Sequence, residues 1–217
     1  MAAGKMSARQ KMINLMYLVF IAMLAMQMDK EVLSAFGFMN EKLTENNLST
    51  TLKNNSAYEN LAIKASEQPA KFGVLFSQAK EIKKYSADFY IYLDSLKTKL
   101  TASIDEKKDY ESMDKKDFLD NYFFKGNGYT PEGKEFLNQI NSYRTNMISV
   151  LGEKSKFTSV LNNRFSTDSV INSKTNKRVD WLKARYEGFP MVASLTNFTQ
   201  MQADIKNTES DIVTGLL

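Results

Sequence analysis

From Met12 to Met28 the chain runs without a charge (MINLMYLVFIAMLAMQM), and beyond it the apolar residues recur at intervals of three or four. Val32, Phe36, Met39 and Leu43 keep that step, as do Phe72, Leu75, Ala79, Ile82, Ser86, Phe89, Leu93, Leu96 and Leu100 with one polar lapse. A third run joins Phe136, Ile140, Tyr143, Met147, Val150, Phe157 and Leu161, interrupted at Lys154. A fourth joins Met191, Leu195, Phe198, Gln202, Ile205 and Ile212. Such spacing lays one apolar stripe along each helix. Pro69, Pro131 behind Thr130, and Pro190 fall where helices end or begin, and Gly126-Asn127-Gly128 signals a turn. No alternating strand pattern stands out. The pattern predicts an all-α fold, with helices near 29–67, 70–108, 130–164 and 190–215 packed as a four-helix-type bundle over 29–217. The first is expected to break around Asn46-Asn47 or Asn54-Asn55-Ser56.

Two connections, 109–129 and 165–189, exceed ordinary loop lengths. Both carry bulky apolar groups: Phe118, Leu119, Tyr122, Phe123 and Phe124 in one, Trp181, Leu182, Tyr186 and Phe189 in the other. They read as a lid closing one end of the bundle, with a docking surface as the alternative.

The uncharged run is about 25 Å long as a helix, at the short end of what spans a bilayer. Lys5, Arg9 and Lys11 precede it without an acid, and Asp29-Lys30-Glu31 follows. Residues 1–11 are therefore a short cytoplasmic start, 12–28 a transmembrane helix, and 29–217 a domain on the far side of the membrane. A cleaved signal peptide is disfavoured, because the run exceeds the usual apolar core and no small-x-small site follows it. Of 29 basic residues three lie in this tail, leaving the rest nearly balanced against 25 acids. That excludes a basic stripe for nucleic acid.

Ser7-Ala-Arg-Gln10 has the form of a capping box that starts the helix before the apolar run. Arg9 then stands in the first turn, where the helix dipole disfavours a cation. Snorkelling to headgroups and a carboxylate on a neighbouring protein both answer this, and the residue alone leaves both open. Tyr17 lies three residues from Phe20, the middle of the span, whereas membrane tyrosines favour the interfaces. Its hydroxyl needs a partner, and Asn14, one turn earlier, extends a polar seam. The chain holds neither cysteine nor histidine. Thiolate metal sites and cysteine or serine–histidine catalysis are thereby excluded, and no Walker loop, dinucleotide fingerprint or metal-spaced carboxylate set is present. No enzyme activity and no cofactor are expected.

The stretch Ser7-Ala-Arg-Gln-Lys-Met-Ile-Asn-Leu-Met-Tyr-Leu-Val-Phe-Ile-Ala-Met-Leu-Ala-Met, with Lys30-Glu31-Val32 and Phe36-Gly37-Phe38-Met39-Asn40-Glu41, resembles the GldM family, called PorM in non-gliding members. The likeness is dense over 7–42 and looser beyond, resting there on the helical pattern and on Trp181 to Phe189-Pro190. Family members are longer, with further periplasmic domains, so it covers the membrane helix and first periplasmic domain. The resemblance implies the central subunit of an inner-membrane motor, driven by the proton-motive force, for type IX secretion and gliding. Two copies would sit inside a ring of five GldL-like two-span proteins and act on outer-membrane machinery. Related motors carry a membrane aspartate in the central subunit. Here Asp29 is the first acid, so the proton-carrying carboxylate is expected on the partner. By resemblance Arg9 pairs with that carboxylate and Tyr17 faces the ring. The alternatives are a membrane-anchored periplasmic sensor and a tethered adaptor.

Overall fold

A computed structural model describes residues 7–216 apart from 107 and 174, with the backbone alone for 25–28. The first helix, α1, is one uninterrupted run, Ala8–Glu67, of 60 residues, about 90 Å at the α-helical rise. It begins at the Ser7 cap and ends at Gln68, whose N–H bonds Lys64 O at 2.8 Å. Pro69 then opens α2 (Pro69–Leu100) at once, because its missing N–H costs nothing in a first helical turn. Leu33 is the first buried residue of α1. The described side chains before Asp29 project from the bundle, and Lys30 is the first to meet it, pairing with Glu111.

The other long helices are α4 (Pro131–Leu151) and α7 (Met191–Leu216). Contacts fix their directions. Gln78 reaches Val150 O, Ser86 meets Tyr143, and Tyr92 stacks near Phe136, so α2 and α4 are antiparallel. Thr196 donates to Phe36 O and Asn54 to Lys206 O, so α7 runs parallel to α1. The order is up, down, up, up. The last connection must therefore return the whole length of the bundle, which explains why 152–190 is long.

Two helices end earlier than the periodicity suggested. The second stops at Leu100 and not near 108, in a chain that then turns at Thr101. The third divides at Gly152, whose φ of 83° suits glycine and halts α4; the apolar step resumes in the short α5 (Thr158–Arg164). The expected break in α1 at Asn46-Asn47 or Asn54-Asn55-Ser56 does not occur.

The connections fold as small structured units. Residues 101–130 contain a 3₁₀ turn (Tyr110–Ser112), α3 (Asp117–Phe123) and a two-residue hairpin of β1 (Phe124–Lys125) and β2 (Gly128–Tyr129). Residues 165–190 contain a hairpin of β3 (Val170–Ile171) and β4 (Arg178–Val179), then α6 (Trp181–Tyr186). Both units close the end of the bundle where α1 enters. Phe123 stacks on Phe136 at 5.2 Å, and Phe198 and Tyr186 meet these rings edge-on. The lid expectation thus holds for this aromatic core. At the far end Tyr58, Leu61, Phe72, Ala79 and Val213 make a smaller core.

Candidate functional site

The residues singled out in the sequence lie on the projecting part of α1. The Ser7 hydroxyl accepts the Gln10 N–H at 3.3 Å, as a cap should. The Gln10 side chain does not return to Ser7 but donates to Asn14 Oδ1 at 3.4 Å, one turn on. At about 100° per residue, Gln10, Asn14 and Tyr17 share one stripe within about 60°. Arg9 and Lys11 flank that stripe on opposite sides. Arg9 lies about 80° around the helix from Tyr17 and about 12 Å before it along the axis. The structure therefore groups Asn14 with Tyr17 and sets Arg9 apart. Gln10 belongs to the polar stripe and was missed, although its spacing of four from Asn14 was legible. Lys5 lies outside the described residues.

Among the described side chains, none of the apolar stretch is buried against the rest of the chain. Tyr17 is 63% exposed, and Met12, Met16, Phe20 and Ile21 are equally bare. Among the described residues α1 is the one helix long and apolar enough to cross a membrane. A polar stripe on such a surface can be covered by lipid or by other helices, and lipid tails offer it no hydrogen bonds.

Where α1 leaves the span it passes a charged cleft lined by Asp29, Lys30, Leu33, Glu111, Asp114 and Lys116. Lys30 pairs with Glu111 at 3.2 Å. Both side chains are well exposed, so the pair contributes little to stability. Among the described residues no group of three or more acids is placed to hold a metal ion.

Above this cleft α1 is clasped to α7. Asn40, Asn47 and Asn54 recur every seven residues on the face towards α7. Asn40 Oδ1 accepts the Thr199 hydroxyl at 2.6 Å, while Asn47 and Asn54 donate to Thr199 O and Lys206 O at 3.2 and 3.0 Å. Of the asparagines that looked like helix breakers, Asn47 and Asn54 are buried, and they fasten an intact helix. Their seven-residue spacing was the available signal. Beyond them Lys206 pairs with buried Glu209 at 3.1 Å and lies over the Tyr90 ring. Burial, and then the Glu209 charge, pushes the Tyr58 hydroxyl pKa up, so Tyr58 stays neutral. Nearer the span, burial lowers the pKa of Lys97, partly offset by Asp94. Lys97 Nζ donates to Gln202 Oε1, and the Gln202 amide donates to Asp94 Oδ1 at 2.7 Å. These bonds tie α2 to α7, as the asparagines tie α1 to α7.

Comparison with known proteins adds one positive finding. The family model of the GldM N-terminal domain matches residues 31–217, the entire bundle, beginning just beyond the span. No curated protein matches the chain.

Proposed function

The chain belongs to the GldM family, whose members serve gliding motility and type IX secretion, and from that premise we propose that it is the central subunit of a proton-driven membrane motor. Two copies of α1 sit side by side within a ring of five GldL-like two-span proteins in the inner membrane. The N-terminus is cytoplasmic and the bundle periplasmic. The observation that carries this reading is the continuity of α1 from Ala8 to Glu67. One rod leaves the bilayer and becomes the longest helix of the bundle, so motion imposed on the span reaches the bundle without crossing a hinge.

The span itself holds no acid, so the titrating carboxylate belongs to the ring. Arg9 faces it. An arginine opposite a buried carboxylate stabilises its charged form, and protonation releases the pair. The polar stripe of Gln10, Asn14 and Tyr17 gives the same ring hydrogen-bonding partners from the level of Arg9 to about two turns deeper. Two central helices cannot satisfy five ring carboxylates at once. Protonating them in sequence then turns ring and centre against each other, and α1 carries the torque outward to the outer-membrane machinery.

The test is purification of the full chain from membranes in mild detergent, with intact-complex mass measurement. Two copies with several copies of a two-span partner are expected, and one copy alone would overturn the motor. A reporter after residue 217 should be active only in the periplasm.

A further inference from the structure

Just outside the span, α1 carries a notch with a peg in it. A Cβ on Gly37 would overlap the Tyr110 ring, which lies flat against the bare glycine backbone. Tyr110 is 7% exposed, and its hydroxyl donates to Glu41 Oε1 at 3.0 Å, one turn along the same helix. Lys108 also pairs with Glu41, at 3.3 Å, and Lys30 with Glu111 at 3.2 Å. The ion pairs are largely exposed and weak. The ring in the notch makes the contact.

The segment bearing Tyr110 is held equally firmly on its other side. The Met191 N–H donates to Lys115 O at 2.9 Å and the Val192 N–H to Met113 O at 3.2 Å, so the strap supplies carbonyl acceptors for the first N–H groups of α7. Between them the Met113 side chain is wholly buried. Tyr110–Lys115 thus bridges α1 to the start of α7 at the end nearest the membrane. A smooth helix turning about its own axis slips past its neighbours, whereas a keyed one carries them along. Glycine at 37 makes the key possible, because any side chain there would expel the ring.

We infer that the Gly37 notch and the Tyr110 strap are the first joint through which α1 hands torque to the bundle, ahead of the Asn40, Asn47 and Asn54 clasps, with Tyr110 a positioning residue. The inference rests on the motor reading, and its test separates the two. Tyr110→Ala removes the peg, and Gly37→Ala pushes the ring out without deleting a core side chain. Both should assemble with the partner, show faster amide exchange over residues 108–115, and lose secretion. Tyr110→Phe keeps the ring and should secrete normally. The chain has no cysteine of its own, so cysteines at 30 and 111 can join strap to α1 through a short bifunctional thiol reagent. Cross-linking should restore secretion to Tyr110→Ala and to Gly37→Ala. Normal secretion in both variants, or a loss that cross-linking does not repair in either, overturns the joint. Arg9→Ala run alongside separates the readings: if it stops secretion while the strap variants do not, the joint alone falls. If it too secretes normally, the motor reading falls with it.

Discussion

Asn47 donates its side-chain amide to the carbonyl of Thr199 across 3.2 Å, at a position only 3% exposed. A helix carbonyl already serves its own ladder, so this second bond adds specificity more than strength. Asn54 repeats the contact with Lys206 O one heptad on, leaving its own Oδ1 without a partner. Polar groups of this kind set register at some cost in stability.

Asn54→Leu should therefore unfold in urea no earlier than the parent protein, since an orphaned acceptor leaves the core with the amide. Asn47→Ala, which opens a hole and loses a bond, should cost about 1–2 kcal/mol. A large loss in Asn54→Leu would show that the amide is needed for strength, contrary to a role in register.

Glu209 is 2% exposed and leans on Lys206. Lys206→Met takes away that carboxylate's ion partner, at a cost of about 3–5 kcal/mol. The double variant Lys206→Met/Glu209→Leu should recover most of the loss. Melting curves of the three proteins decide it, and additive losses would mean that the pair is not coupled.

Burial raises the pKa of Asp204, against the opposing Gln200 bond and the charges of Arg164 and Arg185. A carboxylate whose folded pKa exceeds its unfolded value favours the fold while protonated, and that advantage disappears as pH rises through the folded pKa. Asp204→Asn keeps an acceptor for Gln200 without the charge. It should melt slightly higher than the parent at neutral pH and equally in acid below the ordinary aspartate range. A higher melting point at both would assign the gain to something other than ionisation.

Arg9 provides the functional test. Lys5 and Lys11 still supply the positive charge that topology needs after Arg9→Ala. If Arg9 pairs with a ring carboxylate, its removal leaves an uncompensated charge at a cost on the order of 3–5 kcal/mol. The carboxylate then stays protonated and the cycle stalls. Arg9→Lys should rescue partly, keeping charge without the two-pronged geometry. Secretion and gliding are read in cells whose complex assembly is checked separately, and an assembled Arg9→Ala mutant moving at normal speed would falsify the role.

Residue order alone determined that the chain is helical, that one helix is apolar enough for a bilayer, and which faces of α2, α4 and α7 are buried; in α1 the expected stripe fails, since Val32 and Met39 are exposed and the buried face carries Leu33, Gly37, Asn47 and Asn54. Those properties are local: a step of three or four, a proline at a helix start, a run without charge. Ser7, Thr130 and Pro131 were legible as helix starts for the same reason. The resemblance over 7–42 added the family, and the match over 31–217 established it.

Tertiary structure decided what local signals could not. Asn47 and Asn54 lower helix propensity wherever they stand, so in sequence they read as breaks; only α7 lying alongside supplies the carbonyls that make them clasps. Gly37 looks like a weak point in a helix until Tyr110, distant in sequence, fills the space its missing side chain leaves. The parallel pairing of α1 with α7, and the return of 152–190 along the bundle, follow from contacts between residues about 150 positions apart. No periodicity encodes them, because a stripe states that a face is buried and not what buries it.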